Sequence, residues 1–105
     1  MLVPNIVSLT LLSKPGCHLC DDARLAVERV RSTLSARIAT TLDEVDILGD
    51  PELARLHAED IPVVFVNGRR HAIWRVDEAR LAVAIEKAAR RKVLGAEHRF
   101  ARRRF

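Results

Sequence analysis

The feature that most constrains this chain is a pair of cysteines with two residues between them, at the point where a strand pattern changes into a helix pattern. Cys17 and Cys20 are the two cysteines of the sequence. The run 6–12 before them is apolar and β-prone, and the apolar residues after them recur at helical spacing. We therefore expect a buried central strand over 6–12 and a helix over 17–34, with the cysteines at the junction.

This position has a chemical consequence, because the first turn of a helix has unpaired N–H groups and carries a charge of roughly +0.5. A thiolate at Cys17 would be stabilised there, and a cysteine whose pKa falls from about 8.5 towards neutrality becomes a nucleophile. Lys14, and His18 when protonated, favour the same ionised form. Cys20 returns to the same face one helical turn later and can attack a mixed disulfide at Cys17. The spacing fits a reversible dithiol and disulfide cycle.

The same motif also fits other roles: half of a zinc site, a structural disulfide, or two small buried residues. A zinc site usually needs four ligands, supplied by a second C-x-x-C or by a closely spaced histidine pair. The chain has neither, because its four histidines are scattered. We expect redox chemistry and no bound metal, with the metal-binding and structural roles kept as alternatives.

Size and composition are those of an ordinary globular domain. The chain has 105 residues, of which 49% are hydrophobic and 30% charged, and this suits one domain with one core. No apolar run is long enough to span a membrane, and the first residues lack the basic start of a secretory signal. We expect a monomer in the cytoplasm, where thiols are kept reduced and a C-x-x-C pair is more often catalytic or metal-binding than a permanent crosslink.

The positive charge is concentrated near the C-terminus. Residues 90–105 carry a net charge of +6, so the other 89 residues sum to −2. We divide the chain into a domain over 1–94 and a basic tail over 95–105, which we expect to be mobile and solvated. Phe100 and Phe105 among the arginines resemble segments that contact RNA, but we do not expect nucleic acid as a partner.

Periodicity and turn residues predict seven elements in the order strand, helix, strand, helix, strand, strand, helix: 6–12, 17–34, 39–47, 51–58, 61–66, 69–75 and 77–94. Asp50 and Asp77 are the expected N-caps of the second and third helices. The sequence Asn67-Gly68 predicts a hairpin between the last two strands.

The sequence also predicts the burial or pairing of four side chains outside the cysteine motif. We expect Phe65 and Trp74 to be core or half-core residues of the hairpin rather than a stacking platform. Arg24 and Glu28, one helical turn apart, should form a solvated ion pair of little energetic weight.

This order of elements resembles the thioredoxin fold in its short glutaredoxin form. The resemblance covers about 6–90 and is carried by segment 13–20 (SKPGCHLC), the Ile61-Pro62 step and segment 65–68 (FVNG). More narrowly, the chain resembles the glutaredoxin-like family of small proteins with a C-x-L-C active site. The resemblance implies an α/β fold, order β-α-β-α-β-β-α, with a central four-stranded mixed sheet flanked by helices.

The family also implies roles for individual residues. Cys17 would be the exposed nucleophile and Cys20 the resolving thiol. Pro62 would be a cis-proline that faces the pair and leaves the backbone of Ile61 and Val63 free to bind an extended disulfide-bearing substrate such as glutathione.

Two features differ from the familiar glutaredoxin pattern. His18-Leu19 stands between the cysteines in place of Pro-Tyr, and segment 71–78 (HAIWRVDE) lacks the Gly-Gly that precedes an acidic residue in that pattern. Asp77 could hold the amine of glutathione and Arg75 a carboxylate, but the close backbone approach that glycine permits is absent. Glutathione binding is therefore an open question.

We expect a thiol-disulfide oxidoreductase that exchanges with a disulfide-containing protein or with glutathione. Glutathione would serve as reductant or co-substrate, and no cofactor is expected to be bound. The alternative is a non-catalytic module of the same fold whose dithiol holds a metal or an iron-sulfur cluster, or whose basic tail recruits an anionic partner.

Overall fold

The computed structural model describes residues 6–91, which form four strands, three α-helices and one short 3-10 turn. The order β-α-β-α-β-β-α is the predicted one, and the elements are β1 (Ile6–Ser13), α1 (His18–Leu34), β2 (Ala39–Asp46), the 3-10 turn (Ile47–Gly49), α2 (Pro51–His57), β3 (Val63–Val66), β4 (Arg69–Ile73) and α3 (Glu78–Arg90). None of these helices is long and apolar enough to cross a membrane. The predicted basic tail, 95–105, lies outside the described residues, so the tail and the domain boundary stay predictions.

The strands form one mixed sheet in the order β2-β1-β3-β4. β1 pairs in parallel with β2 and antiparallel with β3, and β3 pairs antiparallel with β4. The predicted central position of β1 is confirmed, since Val7, Leu9 and Leu11 are fully buried. β2 is an edge strand without a buried residue, which agrees with its mixed sequence pattern.

Side chains alternate between the two faces of the sheet, so two apolar clusters form. The first packs the sheet against α1 and α3 through these buried residues: Val7, Leu9, Leu11, Ala23, Val27, Val30, Leu34, Val64, Val66, Leu81 and Ile85. The second lies on the opposite face: Leu12, Cys20, Ile47, Leu53, Ile61, Val63 and Phe65. A fully buried leucine or valine contributes about 1.5–3 kcal/mol. Cys20, in the first turn of α1, is thus a buried member of the second cluster.

Asn67 and Gly68 make the predicted two-residue turn between β3 and β4. Their φ angles are 51° and 82°, and positive values at both positions define a type I′ turn. The side-chain oxygen of Asn67 accepts a hydrogen bond from the N–H of Ser8 at 2.9 Å. This bond ties the hairpin turn to the central strand.

Three predicted boundaries are wrong by a few residues. α3 ends at Arg90 and not at Leu94, because Arg91 has an extended backbone with φ −70° and ψ 130°. β4 ends before residue 74, where the backbone φ becomes positive. β3 begins after Pro62, which has no N–H to donate to a neighbouring strand.

Candidate functional site

The dithiol lies in the loop and first turn that connect β1 to α1. Gly16 turns the chain there with a φ of 76°. A Cβ at this position would meet no atom within 4 Å, so the turn favours glycine for its backbone freedom and not for lack of space. α1 begins at His18, one residue later than predicted, and Cys17 occupies its N-cap position.

Cys17 caps α1 with its sulfur. Its Sγ accepts a hydrogen bond from the N–H of Cys20 at 3.1 Å, and its carbonyl accepts one from the N–H of Asp21 at 3.1 Å. The capping bond satisfies a donor of the first turn, and the positive end of the 17-residue helix points at the same sulfur. Both effects favour negative charge on Sγ of Cys17 once the pair is reduced.

The two cysteines are joined by a disulfide bond and differ in exposure. Their Cα atoms are 5.2 Å apart. Cys20 is fully buried in the second cluster, whereas Cys17 is half-buried. A partner molecule can therefore reach the sulfur of Cys17 more readily than that of Cys20.

Pro62 lies in the loop before β3 and has the predicted cis peptide bond with Ile61. Ile61 and Val63 are buried in the cluster that contains Cys20, so the structure brings these predicted groove residues to the core beneath the dithiol. Among residues 6–91, the backbone N–H and C=O of Ile61 have no hydrogen-bond partner. Pairing of these two groups with a substrate strand stays a prediction.

Lys14 and His18, the predicted thiolate-stabilising residues, are both exposed. Lys14 lines a shallow groove on the β2 side of the dithiol. His18 is the first residue of α1, directly after the capping cysteine. Their effect on the thiolate stays a prediction.

Four polar side chains on the β2 side of the dithiol, Ser13, Asp21, Arg24 and Glu44, form what we call the polar network. Ser13 Oγ donates to Glu44 Oε2 at 2.7 Å, and Arg24 donates from Nε and Nη2 to the two oxygens of Glu44 at 2.7 and 2.6 Å. Arg24 also contacts Asp21 Oδ1 at 3.0 Å. The hydrogen bonds from Arg24 lower the pKa of the Glu44 carboxyl, although partial burial opposes the shift. The network fixes the start of α1 to β2.

The predicted pair between Arg24 and Glu28 is wrong. Arg24 turns to Glu44 and Asp21, and Glu28 pairs instead with Arg31 at 3.1 Å. Glu44 offers two oxygens in the geometry that the guanidinium fork matches, and it reaches Arg24 from the neighbouring strand. Spacing along one helix carries no information about a carboxylate on β2.

A second groove, of about 250 Å³, lies on the α3 side of the dithiol, between α1 and the segment that joins β4 to α3. We call it the Trp74 groove. Its lining includes Leu19, Trp74, Arg75 and Val76. Since Leu19 stands between the two cysteines, the groove begins beside the dithiol.

The prediction of Trp74 as a core or half-core residue of the hairpin is wrong, because Trp74 is 53% exposed. Trp74 follows β4, and its φ of 69° turns the chain towards α3. Its indole N–H donates to the carbonyl of Glu59 at 3.1 Å, and its backbone N–H donates to the carbonyl of Pro62 at 2.8 Å. The expected burial of Phe65 is confirmed, at 4% exposure.

Asp77, the remaining predicted groove residue, is the N-cap of α3. Its carboxylate accepts a hydrogen bond from the N–H of Arg80 at 3.1 Å. Its neighbours Val76 and Glu78 line the Trp74 groove, but Asp77 is not part of that lining. A role for Asp77 towards a substrate amine stays a prediction.

Metal ligands are sparse in the part of the chain that the structure describes. Within residues 6–91, no group of three or more histidine, cysteine, aspartate or glutamate side chains is placed to hold a metal ion. His98 lies outside this range.

A C-x-x-C pair at the start of the first helix, a cis-proline before the third strand and a four-stranded mixed sheet together define a thioredoxin-fold protein with a vicinal cysteine pair. Residues 8–86 match the sequence model of the glutaredoxin-like domain family (DUF836). The chain belongs to this family.

Known proteins with similar sequences and structures agree with this assignment. The uncharacterized protein Rv0508 of Mycobacterium tuberculosis is 32% identical over 79 residues, which cover 74% of this chain and 81% of the relative. The X-ray structure of XcR50 from X. campestris has 29% identity and a TM-score of 0.61, and covers 75% of this chain and 96% of that one. Chloroplastic thioredoxin z, at 13% identity and a TM-score of 0.60, covers 78% and 77% and shows the shared fold.

Proposed function

We propose that this protein is a glutaredoxin-like thiol-disulfide oxidoreductase in which Cys17 and Cys20 alternate between dithiol and disulfide. The observation that carries the proposal is the position of the Cys17 sulfur. It caps a 17-residue helix, is half-buried, and is bonded to a fully buried second cysteine. This arrangement gives one reactive thiol and one protected thiol.

The reaction transfers two electrons from the cysteine pair to a substrate disulfide. The Cys17 thiolate attacks one sulfur of the substrate, so a mixed disulfide forms and the other substrate sulfur leaves as a thiolate that takes up a proton. Cys20 then loses its proton and attacks the Cys17 sulfur, which releases the second substrate thiolate and forms the Cys17–Cys20 disulfide. A thiol reductant, for which glutathione or a dithiol protein would serve, returns the pair to the dithiol form.

Protein groups around the pair support each step. The helix N-terminus and the Cys20 N–H stabilise negative charge on the Cys17 sulfur, and Lys14 adds an exposed positive charge nearby. The free backbone groups of Ile61, beside cis-Pro62, can pair with an extended substrate segment. We place this activity in a monomeric protein of the cytoplasm, where thiol reductants are present.

The proposal is tested by trapping the mixed disulfide. Reduced Cys20→Ser protein should hold a disulfide-bearing peptide on Cys17, visible by mass as an adduct that a thiol reductant removes. Cys17→Ser should form no adduct, because Cys20 is buried, and its turnover should fall at least a hundredfold.

A redox titration supplies the matching measurement on the unaltered chain. Counting alkylated cysteines in buffers of known reduction potential should show one two-thiol transition between about −300 and −120 mV, the range of known dithiol enzymes. The absence of a transition, or thiols that react only after a chelator is added, would contradict the proposal.

A further inference from the structure

The Trp74 groove presents an exposed tryptophan whose position is fixed at two points. The indole N–H is bonded to Glu59 and the backbone N–H to Pro62, although 53% of the residue is exposed. Its backbone φ of 69° is a value that residues other than glycine rarely adopt. A large apolar surface kept exposed, with a backbone outlier beneath it, points to a functional constraint.

Leu19 makes the groove apolar where it meets the dithiol. Leu19 is 41% exposed and lines the same groove as Trp74 and Val76. Since Leu19 directly precedes Cys20, this apolar surface lies beside the dithiol. A partner's apolar side chain would lose water-exposed area against both residues, which favours binding.

Four charged residues line the groove: Asp22, Arg29, Arg75 and Glu78. Arg29 is engaged by Glu78 at 2.7 Å, whereas exposed Arg75 makes no ion pair within residues 6–91. Arg75 therefore offers a cation next to the apolar surface, while Asp22, an acid of the same lining, lies close enough to Arg29 to raise the pKa of its guanidinium.

Glutathione fits this surface poorly. It has no apolar side chain, so it would leave the exposed surfaces of Leu19 and Trp74 without an apolar contact.

We propose that the Trp74 groove is a substrate-binding site for protein disulfides in which an apolar residue follows the reactive cysteine and an acidic residue lies nearby. Trp74 and Leu19 contact the apolar side chain and determine specificity, and Arg75 pairs with the acid. The inference rests on the proposed function, because it names the substrate class of the same dithiol.

The test compares two peptides, each closed by an internal disulfide and differing only in leucine or serine after one cysteine. Pre-reduced full-length protein is mixed with each peptide in a single turnover, which needs no external electron donor. We expect the leucine peptide to be reduced about tenfold faster, and oxidised glutathione no faster than the serine peptide. The ratio of the two rates, leucine peptide to serine peptide, should fall to near one in Trp74→Gly and in Leu19→Ser.

Leu25→Ser is the matched control. Leu25 lies on the same helix and is 56% exposed, but it is not part of the Trp74 groove, so this variant should keep the tenfold preference. For the acidic residue, Arg75→Gln should lower the rate for a glutamate-bearing leucine peptide about threefold and leave the glutamine-bearing one unaffected.

Equal rates for the two peptides with unaltered protein, or a preference that survives in Trp74→Gly, would overturn the groove proposal while leaving the redox function intact. No reduction of any disulfide would instead refute the proposed function.

The groove is then tested by binding alone: a leucine peptide with serines for cysteines should change the fluorescence emission of Trp74, the one tryptophan of the chain. An unchanged emission would overturn the groove proposal as well.

Discussion

The side chains that lie next to the cysteines differ between the two sides of the dithiol. On the β2 side, the polar network joins Ser13, Asp21, Arg24 and Glu44 by hydrogen bonds of 2.6 to 3.0 Å, so these groups bond to each other. On the α3 side, Trp74 and Leu19 are exposed and apolar. The first side has its polar bonding satisfied within the chain, and the second has surface left for another molecule.

We infer from this difference that the polar network holds the site in place, whereas the Trp74 groove contacts the partner. A carboxylate shared by a guanidinium and a hydroxyl holds α1 to β2 and therefore holds Cys17 at the end of β1. An exposed aromatic side chain contributes little to folding, but it offers contact area to a partner. We expect changes in the polar network to alter stability with little effect on substrate choice, and changes in the Trp74 groove to do the reverse.

The largest expected effect is on the polar-network side, in Glu44→Ala. The change leaves the Ser13 hydroxyl without its acceptor and Arg24 without its main partner, and Ser13 is 4% exposed. A buried hydroxyl that loses its partner costs about 1–3 kcal/mol, so we expect the free energy of unfolding to fall by about 2 kcal/mol. Denaturant unfolding measures the loss. A changed peptide preference in this variant would break the separation between the two sides.

The acid dependence of stability sharpens the same prediction. The pKa of Glu44 is lowered in the folded protein from its ordinary value of 4.5, so its ion pair stabilises the fold above that value. This contribution to the free energy of unfolding is lost as the pH falls below 4.5 and passes through the lowered pKa of Glu44. Glu44→Gln should therefore lose less stability than the unaltered protein over this acid range. Equal acid profiles would show that Glu44 does not contribute in this way.

The sequence predicted the dithiol side of the fold well because its signals are local. The strand-to-helix junction placed Cys17 within one residue of its N-cap position, and Asn67-Gly68 predicted the hairpin turn. Both depend on backbone preferences of neighbouring residues. The cis bond at Pro62 was reached through family resemblance, since proline alone gives a low expectation of about 5–6%.

The two wrong side-chain predictions have different physical causes, and neither cause is local to the residue type. Arg24 was assigned to Glu28 by helical spacing, but its partner Glu44 comes from a strand twenty residues away whose register only the folded sheet defines. Trp74 was assigned to the core by its apolar character, but a positive φ after β4 directs it to the surface. Neither long-range pairing nor an unusual backbone angle is readable from residue type.

A smaller effect is expected at residue 74 itself, where the backbone and the side chain can be tested separately. Trp74→Ala and Trp74→Gly both remove the indole, but only glycine adopts a φ of 69° without strain. The glycine variant should be more stable than the alanine variant by about 1 kcal/mol in denaturant unfolding. Equal stabilities would mean that the turn relaxes in the alanine variant, and the backbone outlier would then carry no argument about function.

The smallest expected effect concerns His18, which belongs to neither side. His18 directly follows the capping Cys17, and a protonated imidazole there stabilises the thiolate and so the reduced form, which makes the disulfide a stronger oxidant. His18→Ala should lower the reduction potential by about 10–20 mV, the size of a weak exposed charge interaction at 30 mV per 1.4 kcal/mol. His18→Lys, which places a positive charge at the same position, is the control and should not lower it. If Glu44→Gln or Trp74→Gly moved the potential as far as His18→Ala, the reactivity of Cys17 would depend on the two sides as well as on the start of α1.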